Sequence, residues 1–177
     1  KDRYARTVLE NVDAQDFDSV CRVIADIKPH VLFNCIGVVK QVDMAKDPIT
    51  CIYTNAIFPH RLYNLCRLVG IRLIHVSTDC VFDGQKGEYE ETDPPCPGDL
   101  YGRSKLLGEI GDKPVLTIRT SIIGHELSSQ HGLIEWFLSQ KRSVNGFVNH
   151  IFSGFPTIVI ANLIISHVLG QTDLYGI

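Results

Sequence analysis

The chain has 177 residues, of which 45% are hydrophobic and 21% charged, with a formal net charge of −3. That is the make-up of a single globular domain able to bury a real core. It excludes a basic nucleic-acid surface, and the longest apolar run, residues 157–169, is too short to span a membrane and carries Asn162, Ser166 and His167. Neither a nucleic acid nor a membrane is therefore expected as a partner. The first ten residues show no signal-peptide pattern. Six cysteines form no C-x-x-C pair, and several sit in apolar runs such as "VLFNCIG". They read as buried thiols of a reducing, cytoplasmic compartment. The seven histidines show no zinc-ligand spacing, so no metal is expected.

Residues 6–12, "RTVLENV", read as a first strand. In "DFDSVCRVIADIKP" Phe17, Val20, Ile24 and Ile27 fall on one helical face, with Asp16 as N-cap and Pro29 as stop. Residues 30–37, "HVLFNCIG", form a near-continuous apolar run, the pattern of a parallel strand covered on both sides. Residues 47–70 read as a helix kinked or restarted at Pro59 and closed by Gly70. Residues 71–77, "IRLIHVS", are a second buried strand, and 83–99 a long loop rich in turn residues. "LYGRSKLLGEIG" is a helix, and residues 114–124, "PVLTIRTSIIG", a further strand. This alternation implies an α/β fold with a doubly wound parallel sheet. After Gly124 an amphipathic helix (132–142), short strands and turns, and a buried helix (157–169) follow. Such an appendage is placed to cover the carboxyl ends of the strands, where ligands bind. The expected division is 1–124 for the sheet domain and 125–177 for a partial substrate-binding region. No G-x-G-x-x-G turn and no P-loop occur, so the chain reads as an interior fragment without the first β-α unit.

In the helix beginning at Leu100, Tyr101 and Lys105 stand four residues apart and share a face. A nearby ammonium favours a phenolate, so Lys105 is expected to lower the Tyr101 pKa and make the phenol a usable proton donor or acceptor. The lysine donors can also hold ribose hydroxyls. Alone, the spacing is a weak signal that an exposed Tyr–Lys pair explains equally well. Upstream, Ser77, Thr78 and Asp79 stand at the tip of the strand 71–77, where a hydroxyl can bind a substrate oxygen or simply cap a turn. At the end of the strand 30–37, Gly37 permits close backbone approach to a ligand.

"NCIG", "HVSTDCVFDG", "YEETDPPCPGDLYGRSKLLGE", "TIRTSIIG" and "FSGFPT" together resemble the extended short-chain dehydrogenase/reductases, and among them the dTDP-4-dehydrorhamnose reductase family of nucleotide-sugar enzymes. The resemblance runs from residue 13 to residue 177. It implies a Rossmann-type NAD(P)-binding domain, NADP or NAD as cofactor, and hydride transfer to C4 of a nucleotide-activated 4-keto-6-deoxy sugar. By resemblance Tyr101 donates the proton, Lys105 binds the nicotinamide ribose, Thr78 bonds the substrate oxygen and Asp79 lies beside the substrate. Asp13 and Ala14 match the adenine end of the cofactor site, while Cys35, Ile36, Gly37 and Val76 match backbone positions lining the cofactor. Asn55 matches a recurrent helix asparagine. Cys80 replaces a tyrosine of the family pattern, and Ile122 stands where rhamnose-specific members carry a tryptophan. Helices 47–70 and 100–110 would form the face of a homodimer. Two other readings stay open: an epimerase or dehydratase of nucleotide sugars, and a non-catalytic nucleotide-binding regulatory subunit of the same fold.

Overall fold

The computed structural model describes residues 8–40, 46–126, 132–171 and 173–177. The two apolar runs become strands β1 (Val31–Asn34) and β2 (Arg72–Val76), and β3 is Val115–Ile118. All three are parallel, in the order β1-β2-β3, with Leu32 opposite Leu73 and His75 opposite Thr117. β2, between the others, carries the most buried run, Leu73-Ile74-His75. Near the chain's end, Thr117 N–H donates to the Gly176 carbonyl at 2.8 Å, so Gly176 forms a parallel bridge beside β3.

One face of the sheet is covered by α1 (Phe17–Ile27) and α3 (Phe58–Val69). Val20 and Ile24 of α1 meet Phe58, Leu62 and Cys66 of α3 over Leu73 and Val115. Each fully buried side chain of this kind stabilises the fold by roughly 1.5–3 kcal/mol. Asp16 takes the N-cap position of α1 without a side-chain cap bond. Its carboxylate reaches Arg22 instead, at 3.4 Å. α1 ends on Lys28 in the left-handed conformation, φ 50°, immediately before Pro29.

The expected helix 47–70 is three pieces: α2 (Pro48–Ile52), a wide π turn (Tyr53–Ile57) and α3. Asp47 caps it through Ile49 and Thr50, and Gly70 closes it. Pro59, lacking an N–H, sits at the start of α3, two residues past the end of the wide turn.

Four other expectations change. Residues 6–7 lie outside the described residues, and 8–12 form no strand. Val8, Leu9 and Val12 are exposed and Asn11 is left-handed at φ 62°, because no neighbouring strand among the described residues pairs with them. The strand 114–124 divides into β3 and β4 (Ile122–Ile123), and β4 pairs with β5 (Phe155–Pro156) in a separate small sheet. The helix 132–142 shortens to α5, Leu133–Leu138. The last helix is α6 (Thr157–Leu163) plus a π turn (Ile164–Val168), and it is not buried all round. Ile164 is buried while Ile158, Leu163 and Ile165 are exposed, since only one face of α6 meets the rest of the protein among the described residues. No helix among the described residues is long and apolar enough to cross a membrane.

Candidate active site

The apolar run of β2 ends at Val76, and Ser77-Thr78-Asp79 turns away from its tip. Thr78 is extended, and its hydroxyl accepts from the Cys80 N–H at 3.1 Å, capping the single 3-10 turn Asp79–Val81. The capped-turn role therefore coexists with a place in the site. The Asp79 carboxylate accepts from Ser121 Oγ at 2.5 Å and from the Thr78 hydroxyl at 3.4 Å.

Helix α4 (Leu100–Leu107) is aimed at this turn by its own first residues. Asp99 is the N-cap: one carboxylate oxygen accepts from Gly102 N–H at 2.8 Å, and the other pairs with Lys40 at 2.6 Å. A Cβ at Gly102 would fall 2.5 Å from the Cys80 carbonyl oxygen, so only glycine lets α4 lie this close to the turn. At the other end a Cβ at Gly108 would fall 2.0 Å from the Asn55 carbonyl oxygen. That carbonyl is the one an ordinary helix would pair with the N–H of residue 59, which proline lacks. The two glycines clamp α4 between the 79–81 turn and the π turn.

Tyr101 and Lys105 consequently face one cleft of about 430 Å³ at the carboxyl ends of β1 and β2. Thr78, Cys80, Cys35, Gly37 and Val76 line it too, and Ile160, Ala161 and Ile164 from the C-terminal part form the opposite wall. A second cavity, of about 470 Å³, lies at the other end of the sheet between α1 and α3 and holds none of these residues. Lys105 is 5% exposed, and its Nζ donates to the Val76 carbonyl at 2.6 Å. Burial pulls its pKa down to about 8, against the opposing pull of Glu109 and of Cys35.

The Tyr101 pKa moves opposite to the expectation. Burial holds the phenol above its ordinary value, the hydrogen bond with Thr78 works the other way, and Cys80, Asp79 and Asp99 add to the rise. Burial outweighs any help from Lys105, whose ammonium donates to the Val76 carbonyl.

The expectation of buried thiols holds for Cys51 and Cys66 but fails for Cys35, Cys80 and Cys96, which are exposed; all six are free. Cys35 lies past the last residue of β1, at the mouth of the cleft, where the apolar run no longer means a covered strand. Burial of its sulfur still raises the pKa, with Lys105 opposing, and burial raises Cys80 likewise.

Asp13, Ala14, Ile36 and Asp79 are not among the residues lining the cleft. Asp13 is exposed and its carboxylate accepts from Gln15 N–H at 2.9 Å, an Asx turn ahead of α1, while Ala14 packs on the core. Ile36 N–H donates to Asn34 Oδ1 at 3.1 Å. Asn55 has a definite role: its amide spans the Val38 N–H (2.8 Å), the Val38 carbonyl (3.1 Å) and Ser104 Oγ (3.0 Å), joining the turn after β1 to α4.

Two features escaped the sequence. His75 is fully buried, its Nδ1 3.0 Å from Asn34 Nδ2, and burial followed by Lys105 and His60 lowers its pKa to about 3. Glu109 forms a buried ion pair with Arg119 and accepts from Ser77 Oγ at 2.7 Å. Its place four residues past Lys105 was a signal the sequence offered; Arg119, just past β3, offered none. Among the described residues no group of three or more His, Cys, Asp or Glu is placed to hold a metal ion.

A parallel α/β sheet with a tyrosine, a lysine and a threonine gathered at its carboxyl edge defines a Rossmann-type protein. The RmlD substrate binding domain matches residues 2–160, and the chain belongs to that family. It is 36% identical over 107 residues to methionine adenosyltransferase 2 subunit beta of Pongo abelii, covering 60% of this chain and 32% of that protein. It is 46% identical over 85 residues to dTDP-4-dehydrorhamnose reductase of Mycobacterium tuberculosis (strain CDC 1551 / Oshkosh), covering 45% of this chain and 28% of that protein. Among solved structures, dTDP-4-dehydrorhamnose reductase of Bacillus anthracis str. Ames in complex with NADP matches with a TM-score of 0.77 and 27% identity, over 93% of this chain and 60% of that one. The chain thus spans about a third of the length of the curated relatives it matches.

Proposed function

We propose that the protein is an NAD(P)H-dependent reductase of a nucleotide-activated 4-keto-6-deoxy sugar, with Tyr101 as proton donor. The observation that carries this reading is the convergence of Thr78, Tyr101 and Lys105 on one cleft at the strand ends. Residues 1–124 supply the cofactor half, and 125–177 contribute a wall of the substrate half through Ile160 and Ala161. Similarity to a reductase solved with NADP supports the cofactor class, NADP or NAD.

The residues present fit such a cofactor. A Cβ at Gly37 would lie 3.3 Å from Asn55 Oδ1 and 3.7 Å from Lys105 Nζ, so the glycine keeps the space beside the ammonium open. Cys35, Gly37 and Val76 line that space, while Ile36 is carried to the cofactor, and Asp13 and Ala14 to its adenine end, by family resemblance. When bound, the nicotinamide supplies the hydride that goes to C4 of the sugar.

The chain's own groups do the rest. Tyr101, a phenol protonated at neutral pH and raised further by burial, is an acid rather than a base in the reducing direction. Its O–H proton passes to the oxygen that was the C4 carbonyl, leaving a phenolate beside Thr78. The Thr78 hydroxyl donates to the same substrate oxygen, and preorganised donors of this kind stabilise charge as it develops. The Lys105 ammonium holds ribose hydroxyls and balances the phenolate. Asp79, its carboxylate engaged by Ser121, acts next to the substrate by holding the turn that presents Thr78. Exposed Ile49, Leu68 and Leu107 on α2, α3 and α4 support a homodimer through these helices.

The test uses the full natural chain with NADPH and dTDP-4-dehydrorhamnose, following NADPH absorbance. Tyr101→Phe is expected to lower kcat by at least ~100-fold while NADPH still binds. Full activity of Tyr101→Phe on such substrates would refute the mechanism. A second reading, a regulatory subunit, is favoured by the similarity to methionine adenosyltransferase 2 subunit beta. Absence of turnover with any such sugar, together with a stable complex with a methionine adenosyltransferase catalytic chain, would select it.

A further inference from the structure

Beneath the cleft, three segments meet on one carboxylate. The Glu109 side chain is 3% exposed and that of Arg119 is 11% exposed. Arg119 donates through Nε to Oε1 at 2.9 Å and through Nη2 to Oε2 at 2.8 Å, a bidentate pair. Ser77 Oγ donates to the same Oε1 at 2.7 Å. Glu109 directly follows the C-cap of α4, Ser77 precedes Thr78 at the tip of β2, and Arg119 follows β3. The guanidinium also reaches the long loop: Nη1 donates to the Glu91 carbonyl at 3.2 Å, and its carbon lies 5.1 Å from the Phe82 ring centroid.

A buried ion pair is a poor way to stabilise a fold, because desolvation of both charges offsets most of their attraction. A bidentate pair does fix direction and distance. Here it joins the helix bearing Tyr101 and Lys105 to the strand tip bearing Thr78, the two elements whose separation sets the geometry of proton donation. We propose that Glu109, locked by Arg119, is a positioning residue that holds Ser77–Thr78 in register with Tyr101 and Lys105.

This rests on the reductase reading, and it has a second consequence that does not. Glu109 is the larger of the two influences that oppose the loss of charge at Lys105, Cys35 after β1 being the other. His75 on β2 also faces this interior, while His60 on α3 is exposed with its Nε2 2.7 Å from the Leu107 carbonyl; burial, followed by Lys105 and His60, keeps His75 neutral above about pH 3. Removing the Glu109 charge therefore moves the Lys105 titration to lower pH.

The experiment compares Ser77→Ala, Glu109→Gln and Glu109→Asp in the full natural chain. It measures kcat and KM with NADPH and dTDP-4-dehydrorhamnose across pH, thermal unfolding, and the Lys105 titration by NMR of labelled lysine. Ser77→Ala leaves the ion pair intact and is expected to lower kcat about 10-fold, with KM and unfolding temperature little changed. Glu109→Gln is expected to lower kcat ~100-fold and to move both the basic limb of kcat and the Lys105 titration to lower pH. Glu109→Asp restores the charge and the limb but not the reach, so kcat stays low. If Glu109→Gln does not fold, Ser77→Ala decides. Unchanged kcat in folded Ser77→Ala, or losses that only follow the unfolded fraction, would overturn the proposal. If the wild type reduces no such sugar, the reductase reading fails by itself. The Lys105 titration then decides: a shift in Glu109→Gln supports the coupling, and none refutes it.

Discussion

Lys105→Met separates what the buried ammonium costs the fold from what it gives the site. The Lys105 pKa falls from 10.5 to about 8 on folding. At about 1.4 kcal/mol per unit, keeping the charge at pH 7 costs the folded state about 3 kcal/mol. Methionine removes that cost but leaves the Val76 carbonyl without its donor, a loss of about 1–2 kcal/mol. The variant is therefore expected to be more stable than the wild type at pH 7 by about 1–2 kcal/mol. The pH dependence is sharper. A lysine with a lowered folded-state pKa is destabilising where it is charged in both states, below about pH 8, and the penalty fades as pH rises toward 10.5. Relative to the variant, the wild type should gain about 2 kcal/mol between pH 7 and pH 9.5. Urea unfolding of both proteins at the two pH values measures this, and the comparison cancels the titration of every group that Lys105 does not itself influence, as it does Cys35 and His75. A constant difference between the two proteins across that range would show that Lys105 does not titrate near 8, and the electrostatic account of the site would fall. Turnover should be lost in the same variant, so a gain in stability and a loss of function would come from one substitution.

Gly108→Ala places a methyl 2.0 Å from the Asn55 carbonyl oxygen, and forcing α4 from the π turn should cost about 3 kcal/mol in urea unfolding. Asp99→Ala removes the N-cap of α4, worth about 1 kcal/mol. The half-exposed pair with Lys40 adds little to that loss, so Lys40→Met should be close to neutral in stability. His75, with its pKa lowered to about 3, should show no NMR titration between pH 5 and 8. The unfolded chain binds a proton there that the folded one does not, so stability should fall by about 2 kcal/mol from this group between pH 7 and pH 5. His75→Gln should flatten that acid slope; an unchanged slope would refute the assignment.

The sequence made the sheet's interior legible because burial on both faces leaves a mark: 30–37 and 71–77 carry apolar residues at adjacent positions that point to opposite faces, and β1 and β2 lie within them. Residues 8–12 show the limit of that signal. Valine and leucine favour a strand only where another strand pairs with them, and pairing is a property of neighbours rather than of composition. The division of 114–124 into β3 and β4 was hidden for the same reason, since Ile122 and Ile123 look like a continuation of the strand until Phe155 and Pro156 are seen beside them.

The site divides along a similar line. Tyr101 and Lys105 were readable because helical spacing fixes their shared face, and Thr78 because a strand tip is where this architecture places its chemistry. What spacing could not give was the balance between burial and charge. Proximity of an ammonium argued for a lowered Tyr101 pKa, yet the helix turns the Lys105 nitrogen onto the Val76 carbonyl and sinks the phenol far enough for desolvation to prevail. The same interior that raises the phenol lowers the amine, so both groups are pushed toward their neutral forms. A phenol that keeps its proton suits the proposed reduction, in which the tyrosine must arrive protonated, and under that proposal turnover should slow as the lysine loses its charge near pH 8. Burial sets most of where that loss falls and Glu109 opposes it; Glu109 lay outside the motif because its partner Arg119 comes from the segment after β3: the residues that tune a site are gathered by topology, while the motif residues can be gathered by a single turn of helix.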